Sequence, residues 1–266
     1  MIAITGLSII QIFGCTHPAV HSNTRITPIS SANKMKTVGL IGGTSWHSTV
    51  EYYIHINQTV NDLHNDNTNP PIIIFNLNQK LIHDLQKDND WDSIARILSD
   101  AGKKLKLAGA EALMFCANTP HRVYNQVQST LDIPILHIAD ATGEAIREKK
   151  ISKVGLIGTI YTMEGEFITS RLKDKYDIDT LVPEDPISRN ELHRIIQQEL
   201  SLGIFKDESK RYIINEIEKL KLRGARGIIM GCTEFPLILK PGDISIPAFN
   251  TTYLHAERAV KFIIDK

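Results

Sequence analysis

The chain has 266 residues, 42% of them apolar and 23% charged, with 30 basic side chains balanced by 30 acidic ones. That length can bury one large core or two moderate ones. Zero formal charge gives no electrostatic footprint for nucleic acid or a membrane surface, and no apolar run reaches the roughly 18 residues needed to span a bilayer. Cys15, Cys116 and Cys232 lie too far apart for a disulfide framework or a close-spaced zinc motif, so no metal site is expected.

Residues 1–34 read differently from the rest. The first 14 are mostly apolar, Cys15 follows Ile-Phe-Gly like an imperfect lipoprotein cleavage box, and residues 16–34 have the Ser, Thr, Asn, His and Pro of a tether. The first basic residue is Arg25, so the basic start of a signal peptide is missing. Two readings stand side by side: a cytoplasmic protein whose translation starts at Met35, and an exported lipoprotein anchored through Cys15. The folded part is expected to begin at Met35 in both.

From there the pattern alternates. Short apolar runs bounded by Gly, Pro or Asn predict strands at Val38–Ile41, Ile72–Phe75, Ala112–Phe115 and Ile133–Leu136. Between them, Ile94, Leu98, Ala101 and Leu105 mark one face of a helix. Further strands are predicted at Val154–Ile157, Thr180–Val182, Gly227–Met230 and Ile244–Ala248, with Ile213, Ile217 and Leu220 on a corresponding helix. Alternating strands and helices predict an α/β fold with parallel sheets covered on both faces.

The second half repeats the first. T-V-G-L-I-G at 37–42 returns as K-V-G-L-I-G at 153–158, a step of 116, and L-K-L-A-G-A at 105–110 returns as L-K-L-R-G-A at 220–225, a step of 115. Ile133-Pro134 and Ile246-Pro247 recur at 113, and Cys116 and Cys232 at 116. A tandem duplication is expected, with lobe 1 made of 35–133 and 245–266 and lobe 2 of 134–244.

Ligands of such sheets bind beyond the carboxyl ends of the strands, where both interior cysteines are expected. Cys116 stands in C-A-N-T-P-H (116–121) and Cys232 in G-C-T-E (231–234). Inverting an α-carbon needs a base on one face and an acid on the other, and paired thiols on facing lobes would supply them. Without an electron sink, the substrate carboxylate must be held by preorganised donors. Gly43, Thr44 and Ser45 after the first strand, with Asn118, Thr119, Thr159 and Thr233, form the expected cradle. His121 and Glu234 would support it from behind.

At these residues the chain resembles the aspartate/glutamate racemase family. The stretches that carry the likeness are M-K-T-V-G-L-I-G-G-T-S (35–45), C-A-N-T-P-H (116–121), H-I-A-D-A-T-G (137–143), L-I-G-T-I-Y-T-M (156–163) and G-C-T-E (231–234). The resemblance implies two Rossmann-like lobes, a cleft active site, no cofactor, a small amino-acid substrate, commonly a homodimer, and Cys116 and Cys232 as the acid/base pair. It also implies Asn118, Thr119, Thr159 and Thr233 on the α-carboxylate. Thr44 departs from the family's usual Gly-Gly-Met, and Glu234 stands where cell-wall glutamate racemases have His. The positions that hold a distal carboxylate fall near His83 and Arg189-Asn190-Glu191. Arg189 is therefore the candidate for acidic specificity, which Glu191 would oppose.

Aspartate and glutamate are the expected substrates, with a broad-spectrum or hydantoin-type racemase as the alternative. A decarboxylase of the superfamily, which the resemblance gives one catalytic cysteine, and a two-lobe binding protein, which needs none, are the rivals.

Overall fold

The computed structural model describes residues 35–265. The expectations for the first 34 residues, including the anchor at Cys15, lie outside the described residues. No helix among those described is long and apolar enough to cross a membrane.

The first half runs β1 (Val38–Gly42), α1 (Trp46–His64), β2 (Ile72–Asn76), α2 (Gln79–Lys87), α3 (Trp91–Leu107), β3 (Ala112–Phe115), α4 (Tyr124–Gln128) and β4 (Ile135–Leu136). The second continues with α5 (Ile138–Glu148), β5 (Lys153–Gly158), α6 (Ile160–Glu164), α7 (Thr169–Tyr176), β6 (Asp179–Leu181) and α8 (Pro186–Gln198). It closes with α9 (Asp207–Leu222), β7 (Ile228–Gly231), α10 (Phe235–Ile238), β8 (Ala248–Asn250) and α11 (Thr251–Ile264).

The strands form two four-stranded parallel sheets, ordered β2-β1-β3-β4 and β6-β5-β7-β8. The α/β fold with paired parallel sheets is therefore as expected. The central strands β1, β3 and β7 are buried at every residue, which explains their unbroken apolar runs. Ile94, Leu98, Ala101 and Leu105 form the buried face of α3, whose start is capped by the Asp90 side chain accepting from Ser93 N at 3.0 Å. The predicted strand at Ile244–Ala248 is displaced: Ile244 and Ile246 pack their side chains on the second core, and pairing begins only at Ala248.

The two halves exchange their last helices. After β4 in the first sheet, α5 packs Ala139 and Ile146 against Val154, Leu156 and Ile229 of the second. After β8 in the second sheet, α11 returns Ala256, Ala259, Val260 and Ile263 to Val38, Leu40 and Met114 of the first. The expected lobe limits put these two helices where the packing does. They put β4 and β8 in the opposite lobes, however, and the ladders Met114↔Leu136 and Ile229↔Phe249 place each strand with its own half. Both chain crossings thus fall between strand and helix.

Candidate active site

The loops that follow β1, β3, β5 and β7 converge on one cavity of about 290 Å³. Its floor is built locally by hydrogen bonding. Gly43 turns the chain with φ +84°, a left-handed conformation, and a Cβ there would lie 2.3 Å from the Leu77 carbonyl oxygen. The turn delivers Thr44 and Ser45 to the cavity, and Ser45 caps α1 by accepting from Ser48 N. Across the cleft, Thr159 caps the short α6, with its hydroxyl 3.2 Å from that of Thr162.

The loop after β3 is held from several directions. His121 takes a hydrogen bond from Ile138 N through Nε2, which leaves Nδ1–H to donate to the carbonyls of Ala117 and Asn118 at 3.1 and 3.2 Å. Burial lowers this imidazole to about 4. Asn118 Nδ2 donates to Thr251 Oγ1 at 3.0 Å, and that hydroxyl donates to the Met230 carbonyl at 3.0 Å, tying the two strand ends together. This leaves Asn118 Oδ1 buried without a protein partner, an acceptor available to a substrate.

Cys232 and Glu234 meet in one corner of the cavity. The Cys232 thiol donates to Glu234 Oε2 at 2.8 Å, and Thr233 Oγ1 donates to the same oxygen at 2.8 Å. Burial, and then the neighbouring Glu234 carboxylate, push the Cys232 thiol well above its ordinary value. The group is a thiol at rest with an acceptor already in place.

Of the sequence-predicted residues, Thr44, Ser45, Asn118, Thr119, Thr159, Cys232, Thr233 and Glu234 line this cavity. Gly43 shapes the floor and His121 props the loop without lining it.

Cys116 does not join Cys232. It is 2% exposed and packs with Val38, Leu40, Tyr52, Met114 and Ala256 under α1 and α11, where burial pushes its thiol up. The cause is strand alternation: Met114 and Cys116 face α1 and α11, whereas Leu113 and Phe115 face α3. The residue that lines the cavity is Ala117. Register gives the same answer. Ile41 pairs with Phe115 and its repeat-mate Ile157 pairs with Met230, so β3 and β7 are related by a step of 115, not 116. That step takes Ala117, not Cys116, to Cys232.

Arg189 is also elsewhere. Its guanidinium binds Glu164 Oε1 at 2.7 Å and the carbonyls of Pro183 and Glu184, each at 2.7 Å. Glu191, expected to oppose an acidic substrate, is turned to Arg194 at 2.7 Å. In place of a lysine or arginine the cavity has Gln79, Gln86 and Gln197, which no motif announced, together with His83 and with Tyr161 of the L-I-G-T-I-Y-T-M stretch.

The comparisons agree with this architecture. A Yersinia pestis protein crystallised as a candidate Asp/Glu racemase is 42% identical, covers 87% of this chain and all of its own, and superposes with a TM-score of 0.82. An aspartate racemase homologue from Pyrococcus horikoshii OT3 is 36% identical over 86% of this chain and 99% of its own, with a TM-score of 0.75. The broad specificity amino-acid racemase RacX of Bacillus subtilis is 25% identical over 51% of this chain, and the match spans 60% of RacX's length. The Asp/Glu/Hydantoin racemase family profile matches residues 41–259. With a duplicated parallel α/β fold, a cleft at the strand ends and these relatives, the chain belongs to the Asp/Glu/hydantoin racemase family, whose racemases are isomerases.

Proposed function

We propose that this chain is a cofactor-independent amino-acid racemase of a one-thiol kind, in which Cys232 moves the proton on one face of the α-carbon and solvent serves the other. The observation that carries this reading is Ala117, a methyl group at the position equivalent to the Cys232 thiol. Glu234, 2.8 Å from Sγ, accepts the thiol proton. The thiolate then takes the α-proton, and the electron pair moves into the substrate carboxylate. Asn118, Thr119, Thr159 and Thr233 surround that carboxylate with backbone and hydroxyl donors, which stabilise the growing charge. Asn118 Oδ1 accepts from the substrate ammonium. Return of a proton from Cys232 restores the starting enantiomer. Inversion needs a proton on the Ala117 side, where the methyl has none to give and cleft water must supply it, the hydroxide left behind taking the proton held on Glu234. A positioned acid or base contributes about 10²–10⁴-fold, so inversion is the slower branch.

The test is incubation of each enantiomer in heavy water. Recovered starting enantiomer is expected to carry α-deuterium before its mirror image accumulates. If the mirror image forms first, with the recovered substrate still unlabelled, a second protein group serves the far face and the one-thiol reading fails.

The high proton affinity of Cys232 favours a second reading. A substrate with two carboxylates on one carbon would lose one as carbon dioxide, and the Cys232 thiol would protonate the resulting carbanion and be reprotonated from water through Glu234. Release of carbon dioxide from a disubstituted malonate, without exchange into amino acids, would select it.

A further inference from the structure

Besides the groups proposed to surround an α-carboxylate, the cavity is lined by amide side chains. Gln79 and Gln86 reach it from α2 and Gln197 from α8, with His83 between the first two in sequence. Among the described residues no lysine or arginine lines it. Of the cations on the same helices, Lys80 is engaged with Asp84 at 2.7 Å, Arg189 with Glu164 and two carbonyls, and Arg194 with Glu191 and Glu199, while Lys87 ends α2 and does not line the cavity.

Two features make this a built recognition surface. Gln86 is 7% exposed, and a buried carboxamide holds its place only when its donors and acceptors find partners. Burial also keeps the His83 imidazole below its ordinary value, hence neutral at pH 7, while it donates to the Thr44 backbone. The acidic side chain among the lining residues is Glu234. A side-chain carboxylate of the substrate placed among these amides would be desolvated with no counter-charge, which is costly, whereas an uncharged polar group would lose only hydrogen bonds that the site replaces.

We propose that the substrate side chain is uncharged and polar, an asparagine-like carboxamide by preference, recognised by Gln79, Gln86, Gln197 and His83. A carboxamide offers a donor and an acceptor in one plane and pairs reciprocally with another. This departs from the acidic substrates expected from the resemblance and rests on the reading of the cavity as an amino-acid site.

Calorimetric binding of the full chain to L-asparagine, L-glutamine, L-aspartate, L-glutamate and L-alanine, run beside α-deuteration of the same five, tests it. Asparagine or glutamine is expected to bind at least tenfold more tightly than either acidic amino acid. Gln86→Leu is expected to cut asparagine affinity at least fivefold and leave alanine affinity within twofold. Tighter binding of aspartate or glutamate than of their amides overturns the proposal, as does equal weakening of asparagine and alanine by Gln86→Leu. The two readings fail separately. Amide-selective binding without exchange sinks the reaction and keeps the ligand class. Exchange that favours the acidic amino acids does the reverse, and no binding at all removes both.

Discussion

Ala117 and Cys232 end equivalent strands of the two sheets and line the same cavity, one with a methyl group and the other with a thiol. Two sites alike in backbone therefore differ in their ability to hold a proton. Ala117→Cys should complete the pair, raising the rate of inversion by about 10²-fold while changing exchange of the starting enantiomer far less. Chiral chromatography beside mass spectrometry of the α-deuterium reads both numbers. No gain in inversion would show that the far face is closed to proton transfer for another reason.

Cys116→Ala is the companion. Its sulfur touches the core under α1 and α11, so the substitution should cost about 1–2 kcal/mol of stability and leave exchange within twofold. A large loss of turnover with an unchanged Tm would put Cys116 back into the chemistry.

Glu234→Gln separates two effects of one carboxylate. Removing the negative charge beside Sγ should move the pH midpoint of Cys232 alkylation downward, because Glu234 is one of the groups holding that thiol up. Losing the proton acceptor 2.8 Å away should lower exchange at least tenfold despite the more acidic thiol. An unchanged alkylation midpoint would mean that burial alone sets the thiol.

Three buried histidines make the fold acid-sensitive. Tyr52 Oη donates to His255 Nδ1 at 2.9 Å, and His255 Nε2 donates to the Leu136 carbonyl at 2.8 Å. Burial lowers His255 to about 3 and His121 to about 4, and lowers His137 as well. An unfolded histidine titrates near 6.5, so below that pH the unfolded chain takes up protons that the fold refuses. The stability is present above about pH 6.5 and is lost as pH falls toward 4, by roughly 3–5 kcal/mol between pH 6.5 and 5 for the three together. Urea unfolding at stepped pH checks the slope. His137→Asn, which keeps a side-chain acceptor for Ala139 N at the start of α5, should reduce it by one proton.

Gly43→Ala tests the cavity floor. The added methyl would meet both Leu77 N and Leu77 O within 2.4 Å on a backbone already at φ +84°. About 2 kcal/mol or more should be lost, with exchange falling further because Thr44 and Ser45 move with the turn. Urea melts and exchange rates on one preparation give both.

Much of this fold could be read from the chain. The repeat of V-G-L-I-G, the apolar runs and the face of α3 identified two parallel sheets, because buried strands and amphipathic helices have periods that survive without tertiary information. The error came at one residue. Steps of 115 and 116 both occur between the halves, and alignment by cysteine chose the wrong one at the end of β3. A slip of one residue along a strand moves a side chain to the other face. The L-K-L-x-G-A repeat, at 115, held the right answer. Arg189 misled for a different reason: its place along α8 was legible, but its capture by Glu164 and two carbonyls depends on contacts across the fold. The glutamines were silent because a lone amide on a helix reads as solvent-facing.

The exchanged helices have a mechanical consequence. Each sheet is clasped by a helix whose strand belongs to the other, and α5 packs directly on α11. Pulling the halves apart would have to part α5 from α11 and bend the chain at both crossings, where only His137 separates β4 from α5 and nothing separates β8 from α11, so wide gaping is costly. Substrate traffic is left to the rims of the cleft, and turnover in this protein should be paced by short loop excursions rather than by the swing of whole lobes.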